Sequence, residues 1–66
     1  MAILKVIEIL SDSKVSWEDA TKNAINKAGK SVKNIKSAYV QSQSVVVKDN
    51  KVKGFRVNLK VTFEIK

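Results

Sequence analysis

Two hydrophobic periods divide the chain. From Phe55 onward, Phe55, Val57, Leu59, Val61, Phe63 and Ile65 alternate without a break with Arg56, Asn58, Lys60, Thr62, Glu64 and Lys66. A period of two sustained over that length predicts a strand with one buried face and one wet face. Ile3 to Leu10 is dense in β-branched residues and too short for a stable helix, so it also reads as a strand. Between them the spacing becomes helical: Trp17, Ala20, Ala24, Ala28 and Val32, with Ile25 beside them, form one apolar stripe. Ser16 is a good N-cap, and Glu18 and Asp19 sit at the positive end of the helix dipole. A helix from Trp17 to about Ser31 follows, preceded by a polar loop at Ser11-Asp12-Ser13-Lys14.

From Ser37 the period returns to two, less cleanly over Ala38 to Lys48. Asp49-Asn50 separates this run from the last one, and both residues tolerate the positive φ that a tight hairpin needs. Pairing Lys48 with Lys51 sets Gln43 opposite Arg56, Gln41 opposite Asn58 and Tyr39 opposite Lys60. Ser44, Ser42 and Val40 then meet Phe55, Val57 and Leu59 beneath the helix, small residues against large ones. Val47 and Val52 fit this register poorly, which suggests a bulge near the turn. The other face, with Tyr39, Val45 and Val47, is left for water or a neighbouring subunit.

Composition narrows the chemistry. With 66 residues the chain holds one domain, over residues 1–66, and a domain of that size buries too little to be secure alone. It has no cysteine and no histidine, which excludes disulfides, zinc sites and iron–sulfur clusters. Self-association remains as the stabiliser. The first ten residues carry Lys5 and Glu8 and are too short and too charged for a signal peptide or membrane span, so a cytoplasmic protein is expected. A formal charge of +7 attracts anions of any class, from nucleic acid to phosphate-bearing cofactors, and also favours solubility. Without His or Cys, catalysis would need paired carboxylates, an activated lysine or a metal, and capping already explains Glu18-Asp19. An enzyme is not expected.

An ordered set of residues resembles the dodecin family: Lys5-Val6-Ile7-Glu8-Ile9, Ser16-Trp17-Glu18-Asp19-Ala20, Ala24-Ile25 with Ala28, Ser31-Val32 and Asn34-Ile35, then Lys51-Val52 with Phe55, Val57, Lys60-Val61 and Phe63. The resemblance covers nearly the whole chain. It implies an α+β fold, β-α-β-β, with a three-stranded antiparallel sheet wrapped around one helix. It also implies a hollow homododecamer that sequesters flavin, riboflavin or FMN, at twofold axes between subunits. The position of the family's flavin-stacking tryptophan is Ser37 here, that of its flavin-bonding glutamine is Arg56, and that of its Arg-Gly pair is Ser44-Val45. Dodecin-like proteins without the tryptophan have been described as calcium-binding, and Ile35-Lys36-Ser37-Ala38 resembles that branch.

The candidate ligand residues are therefore Ser37, Tyr39 and Arg56, with Gln41, Gln43 and Asn58 expected on the same face. Tyr39 lies two residues from the missing tryptophan and offers the nearest ring. Trp17, in the first helical turn, reads as an anchor instead of a stacking platform. Six acids are available for calcium (Glu8, Asp12, Glu18, Asp19, Asp49, Glu64), and none forms a calcium loop. A third reading, a basic nucleic-acid-binding module, rests on Lys22, Lys27, Lys30, Lys33 and Lys36, without any recognised motif.

Overall fold

Residues 2–66 are described in the computed structural model of the chain; Met1 lies outside them. β1 (Ile3–Ser13) leads into α1 (Trp17–Ala28), then β2 (Ile35–Lys48) and β3 (Lys51–Ile65). The three strands form one antiparallel sheet in the order β1-β3-β2, so the most regularly alternating strand is the central one. The β-α-β-β fold expected from the pattern is the fold observed. α1 lies across β1 and β3. Ala20 and Ala24 are buried against Val57, Leu59 and Val61, with Ile7, Ile9, Trp17, Ile25 and Ile35 packed around them. Alanine on the helix allows the close approach that puts these three β3 side chains out of water.

Three boundaries differ from expectation. β1 continues through Ser11-Asp12-Ser13 because its serines bond to the helix instead of forming a turn. Ser11 Oγ donates to the Ala20 carbonyl at 2.8 Å, and Ser13 Oγ donates to Asp19 Oδ2 at 2.6 Å while accepting from the Val15 N–H at 2.9 Å. α1 ends at Ala28, not near Ser31. Beyond it the chain tightens into i→i+3 bonds from Lys30 to Lys27 and from Ser31 to Ala28, with Gly29 as the C-cap. Asn34 then takes a positive φ of 63°, and β2 starts at Ile35, two residues earlier than Ser37.

The hairpin turn is as expected. Asp49 and Asn50 have φ of 54° and 60°, as a type I′ turn requires, and Lys48 faces Lys51. Tyr39–Lys60 and Val40–Leu59 also pair as expected. Between these points the register is shifted by one. Lys53 is an extra residue on β3, and Gln41 is an extra residue on β2. Gln43 therefore lies opposite Val57, not Arg56; Ser42 and Ser44 face Asn58 and Arg56, not Val57 and Phe55. Gln41 is left out of the pairing, and Val45 takes the place beside Phe55. Gly54 sits at the first bulge, where an added Cβ would lie 3.3 Å from the Ser13 carbonyl oxygen. A third shift leaves Lys36 unpaired between Ile35–Phe63 and Ser37–Thr62.

Candidate ligand-binding face

Burial of Val57, Leu59 and Val61 under α1 turns the intervening β3 residues to the opposite, outer face of the sheet. Arg56, Asn58, Lys60, Thr62 and Glu64 form its central row. On one side the directly paired β1 residues are Asp12, Leu10, Glu8, Val6 and Leu4. On the other side the partners of Arg56, Asn58, Lys60 and Thr62 on β2 are Ser44, Ser42, Tyr39 and Ser37. The face is thus apolar along much of β1, charged or amidic in the middle and rich in hydroxyls along β2.

Ser37 and Tyr39 come together at one end of this face, opposite Thr62 and Lys60, and the Tyr39 side is 58% exposed. Arg56 does not join them. It lies four residues along β3 from Lys60, roughly 13 Å at the usual strand rise. Its guanidinium is held by Asp12 in a two-point pair, Nε to Oδ1 at 2.6 Å and Nη2 to Oδ2 at 3.0 Å. Hydrogen bonding from Arg56, aided by its charge, holds the Asp12 carboxyl below its ordinary range, and the same bond raises Arg56. Asp12 reads as a loop residue in the sequence; β1 continues through it with Ser11 and Ser13 bonded to α1, which brings Asp12 opposite Arg56 on this face.

The shifted register removes Gln43 from the candidate set. It lines a recess on the helix side with Trp17, Glu18, Thr21, Lys22 and Val40. Asn58 stays on the outer face, and its Oδ1 is buried with no hydrogen-bond partner. Trp17 acts as an anchor: Nε1 donates to the Ser44 carbonyl at 2.9 Å, and its ring meets Phe55 edge-on with centroids 5.1 Å apart.

These features define a small domain with one open sheet face, apolar along much of β1 and polar along β3 and β2. The family profile named Dodecin matches residues 3–66, and the chain belongs to the dodecin family. It is 35% identical to the calcium dodecin of Mycobacterium tuberculosis over 66 residues, covering all of this chain and 93% of that protein. A crystal structure of that calcium-chelating antigen, described as having a novel calcium-binding site, matches with a TM-score of 0.86 and 34% identity over 97% of this chain and 91% of that one. The dodecin of Streptomyces davaonensis matches in fold with a TM-score of 0.92 at 23% identity, over 98% of this chain and 96% of that one.

The carboxylates of this chain do not by themselves suit calcium. Among the described residues no three acids come together, whereas a calcium ion takes six to eight oxygens. Asp12 is occupied by Arg56, and Glu64 lies 3.5 Å from Lys36 Nζ and 3.7 Å from Lys66 Nζ. Asp19 accepts from the Ser13 hydroxyl and, at 3.1 Å, from the Asn23 amide. No helix among the described residues is long and apolar enough to cross a membrane.

Proposed function

We propose that this chain is a non-enzymatic sequestering protein that works as a self-associated shell, a homododecamer, and holds flavin (riboflavin or FMN) in an altered pocket. The pocket is built around Ser37 and Tyr39, with Arg56 supplied by a neighbouring copy. The observation that carries this reading is the exposed Tyr39 ring beside Ser37 and Lys60 on the open sheet face. A phenol ring there offers a stacking partner, and Lys60 and Arg56 offer positive charge to a phosphate-bearing ligand. Burying the flavin ring limits its free concentration and its reactivity, so no bond need be made or broken. Family membership and the basic charge support the same reading.

Riboflavin and FMN titrated into the purified protein test this through flavin fluorescence. Saturable quenching is expected, weakened about tenfold in Tyr39→Ala, the size of effect a lost ring contact produces. A second reading, a flavin-free shell that binds calcium through acids shared between copies, is favoured by the 35% identical relative named calcium dodecin. Calorimetric titration of calcium into the same sample decides between them. Calcium heat that saturates, with no flavin quenching, would replace the first reading by the second.

A further inference from the structure

A groove between β1 and α1 lies on the helix side of the sheet, apart from Ser37, Tyr39 and Arg56. Ile7 and Ile9, packed toward the core, form one wall. Ala24, Ala28 and Val32, spaced four apart on α1 and the turn after it, form the other. The cavity is about 460 Å³, inside the range of about 300–1,000 Å³ usual for small-molecule sites, and its walls are chiefly aliphatic. No aromatic ring lines it, so it gives a flat ring system nothing to stack on. From Ala24 to Val32 the apolar row runs roughly 12 Å along the helix, the reach of an extended chain of medium length.

The rim carries one sign of charge. Asn23, Lys27 and Ser31 each precede a member of the apolar row by one residue and so form a polar row beside it. The Asn23 amide donates to Asp19 at 3.1 Å, which leaves the Lys27 ammonium as the charge at the groove. Lys27 takes part in none of the ion pairs among the described residues. No acid lines the groove, and the chain carries none from Ala20 to Lys48, while Lys30 and Lys33 follow Lys27 closely. A cationic head group would be repelled there, whereas an anionic one is drawn in. Lys27 also offsets the helix dipole in the last turn of α1, but that role needs no apolar groove beside it.

We propose that this groove binds a free linear carboxylate of medium chain length, the chain lying between Ile9 and Ala28 and the carboxylate meeting Lys27 and the Ser31 hydroxyl. The walls match the chain and the rim matches the head. The site shares no residue with the flavin face, so either reading can fail without the other.

Equilibrium dialysis of the purified protein, in whatever assembly it forms, against butanoate, hexanoate, octanoate and decanoate below their micellar concentrations tests this. Saturable uptake is expected, tightening about fourfold with each buried CH2 and levelling off once the groove is full. Octanoate is expected to bind about threefold tighter than octanol. Lys27→Gln is expected to abolish that preference and to leave octanol binding unchanged. Lys22→Gln, on α1 outside the groove, is expected to bind octanoate as wild type does. Ala28→Leu, which fills the slot, is expected to weaken octanoate at least tenfold, with circular dichroism and light scattering showing fold and mass unchanged. Should Ala28→Leu misfold, the chain-length series and Lys27→Gln decide alone. No saturable uptake by wild type, an affinity independent of chain length, or an equal loss in Lys22→Gln would each overturn the assignment. So would displacement of octanoate by riboflavin, which would put the carboxylate on the flavin face.

Discussion

Arg56 shows how a neighbour decides what a side chain is free to do. Its place in the family pattern makes it a candidate ligand contact, yet within one chain both arms of its guanidinium are committed to Asp12 across the strand pair. A ligand that takes Arg56 must compete with that carboxylate or bind with it in place. The pair also sets a pH dependence. The Asp12 carboxyl is depressed in the folded chain relative to its unfolded value of about 3.9. Its contribution to stability is therefore complete above about pH 3.9 and is lost as pH falls through the lower folded value. Asp12→Asn removes it. Denaturation of wild type and Asp12→Asn is expected to show a small gap at neutral pH that narrows in acid and in high salt, because the pair is exposed. A gap unchanged down to pH 2 would show that Asp12 stabilises by something other than its charge. Tyr39 has no such competitor, which is why ligand affinity is expected to respond to Tyr39→Ala more than to Arg56→Gln.

At the scale of elements, the joint between β1 and α1 depends on two serines with different visibility. Ser16 is a cap that any reading of the chain finds, and it accepts from the Asp19 N–H at 2.9 Å. Ser16→Ala is expected to cost about 1 kcal/mol in urea denaturation. Ser13 is buried, donates to Asp19 and accepts from the N–H groups of Val15 and, at 3.4 Å, Ser16, so Ser13→Ala strips those two N–H groups of their acceptor and is expected to cost about 1–3 kcal/mol. Equal costs at the two sites would mean that the Ser13 contacts are no stronger than an ordinary cap. The contrast explains what was legible in the sequence. β3, α1 and the Asp49-Asn50 turn declare themselves because period and turn chemistry act within a few residues. The extension of β1 did not, since serines in a strand look like a loop until the helix that they bond to is in place. The register of β2 was right at Lys48 and at Tyr39 and wrong between them: the poor fit of Val47 and Val52 signals the bulge at Lys53, whereas the bulge at Gln41 that compensates it follows no residue signature. That slip moved Gln43 to the helix side and brought Ser42 and Ser44 to the outer face, so the polar character of the candidate site was foreseen and half of its β2 membership was not.

For the whole molecule, the question is how so small a core holds a three-stranded sheet. Only Ala20, Ala24, Val57, Leu59 and Val61 are buried hydrophobics among the described residues, and two of these are alanines. A chain of this length removes only about 60% of its unfolded surface from water, which leaves little margin over conformational entropy. Leu59→Ala, at the centre, is expected to cost about 2–5 kcal/mol, enough to unfold the isolated chain. If the outer face and β1 are covered by other copies, folding and assembly become one equilibrium, and protein concentration acts as a stabilising ligand. Each tenfold rise in concentration then adds up to about 1.4 kcal/mol per chain. With the entropy of unfolding of a domain this small, that raises Tm by roughly 3–10 °C per decade, the lower end for a dimer and the upper end for a large shell. Calorimetry from 10 to 1000 μM protein reads this directly. A Tm independent of concentration would mean that the core of five residues suffices alone, and that the exposed strip of Leu4, Val6 and Leu10 on β1 serves something other than assembly. A rising Tm in wild type that flattens in Val6→Lys/Leu10→Lys would tie the stability of the fold to the surface that the lone chain leaves uncovered.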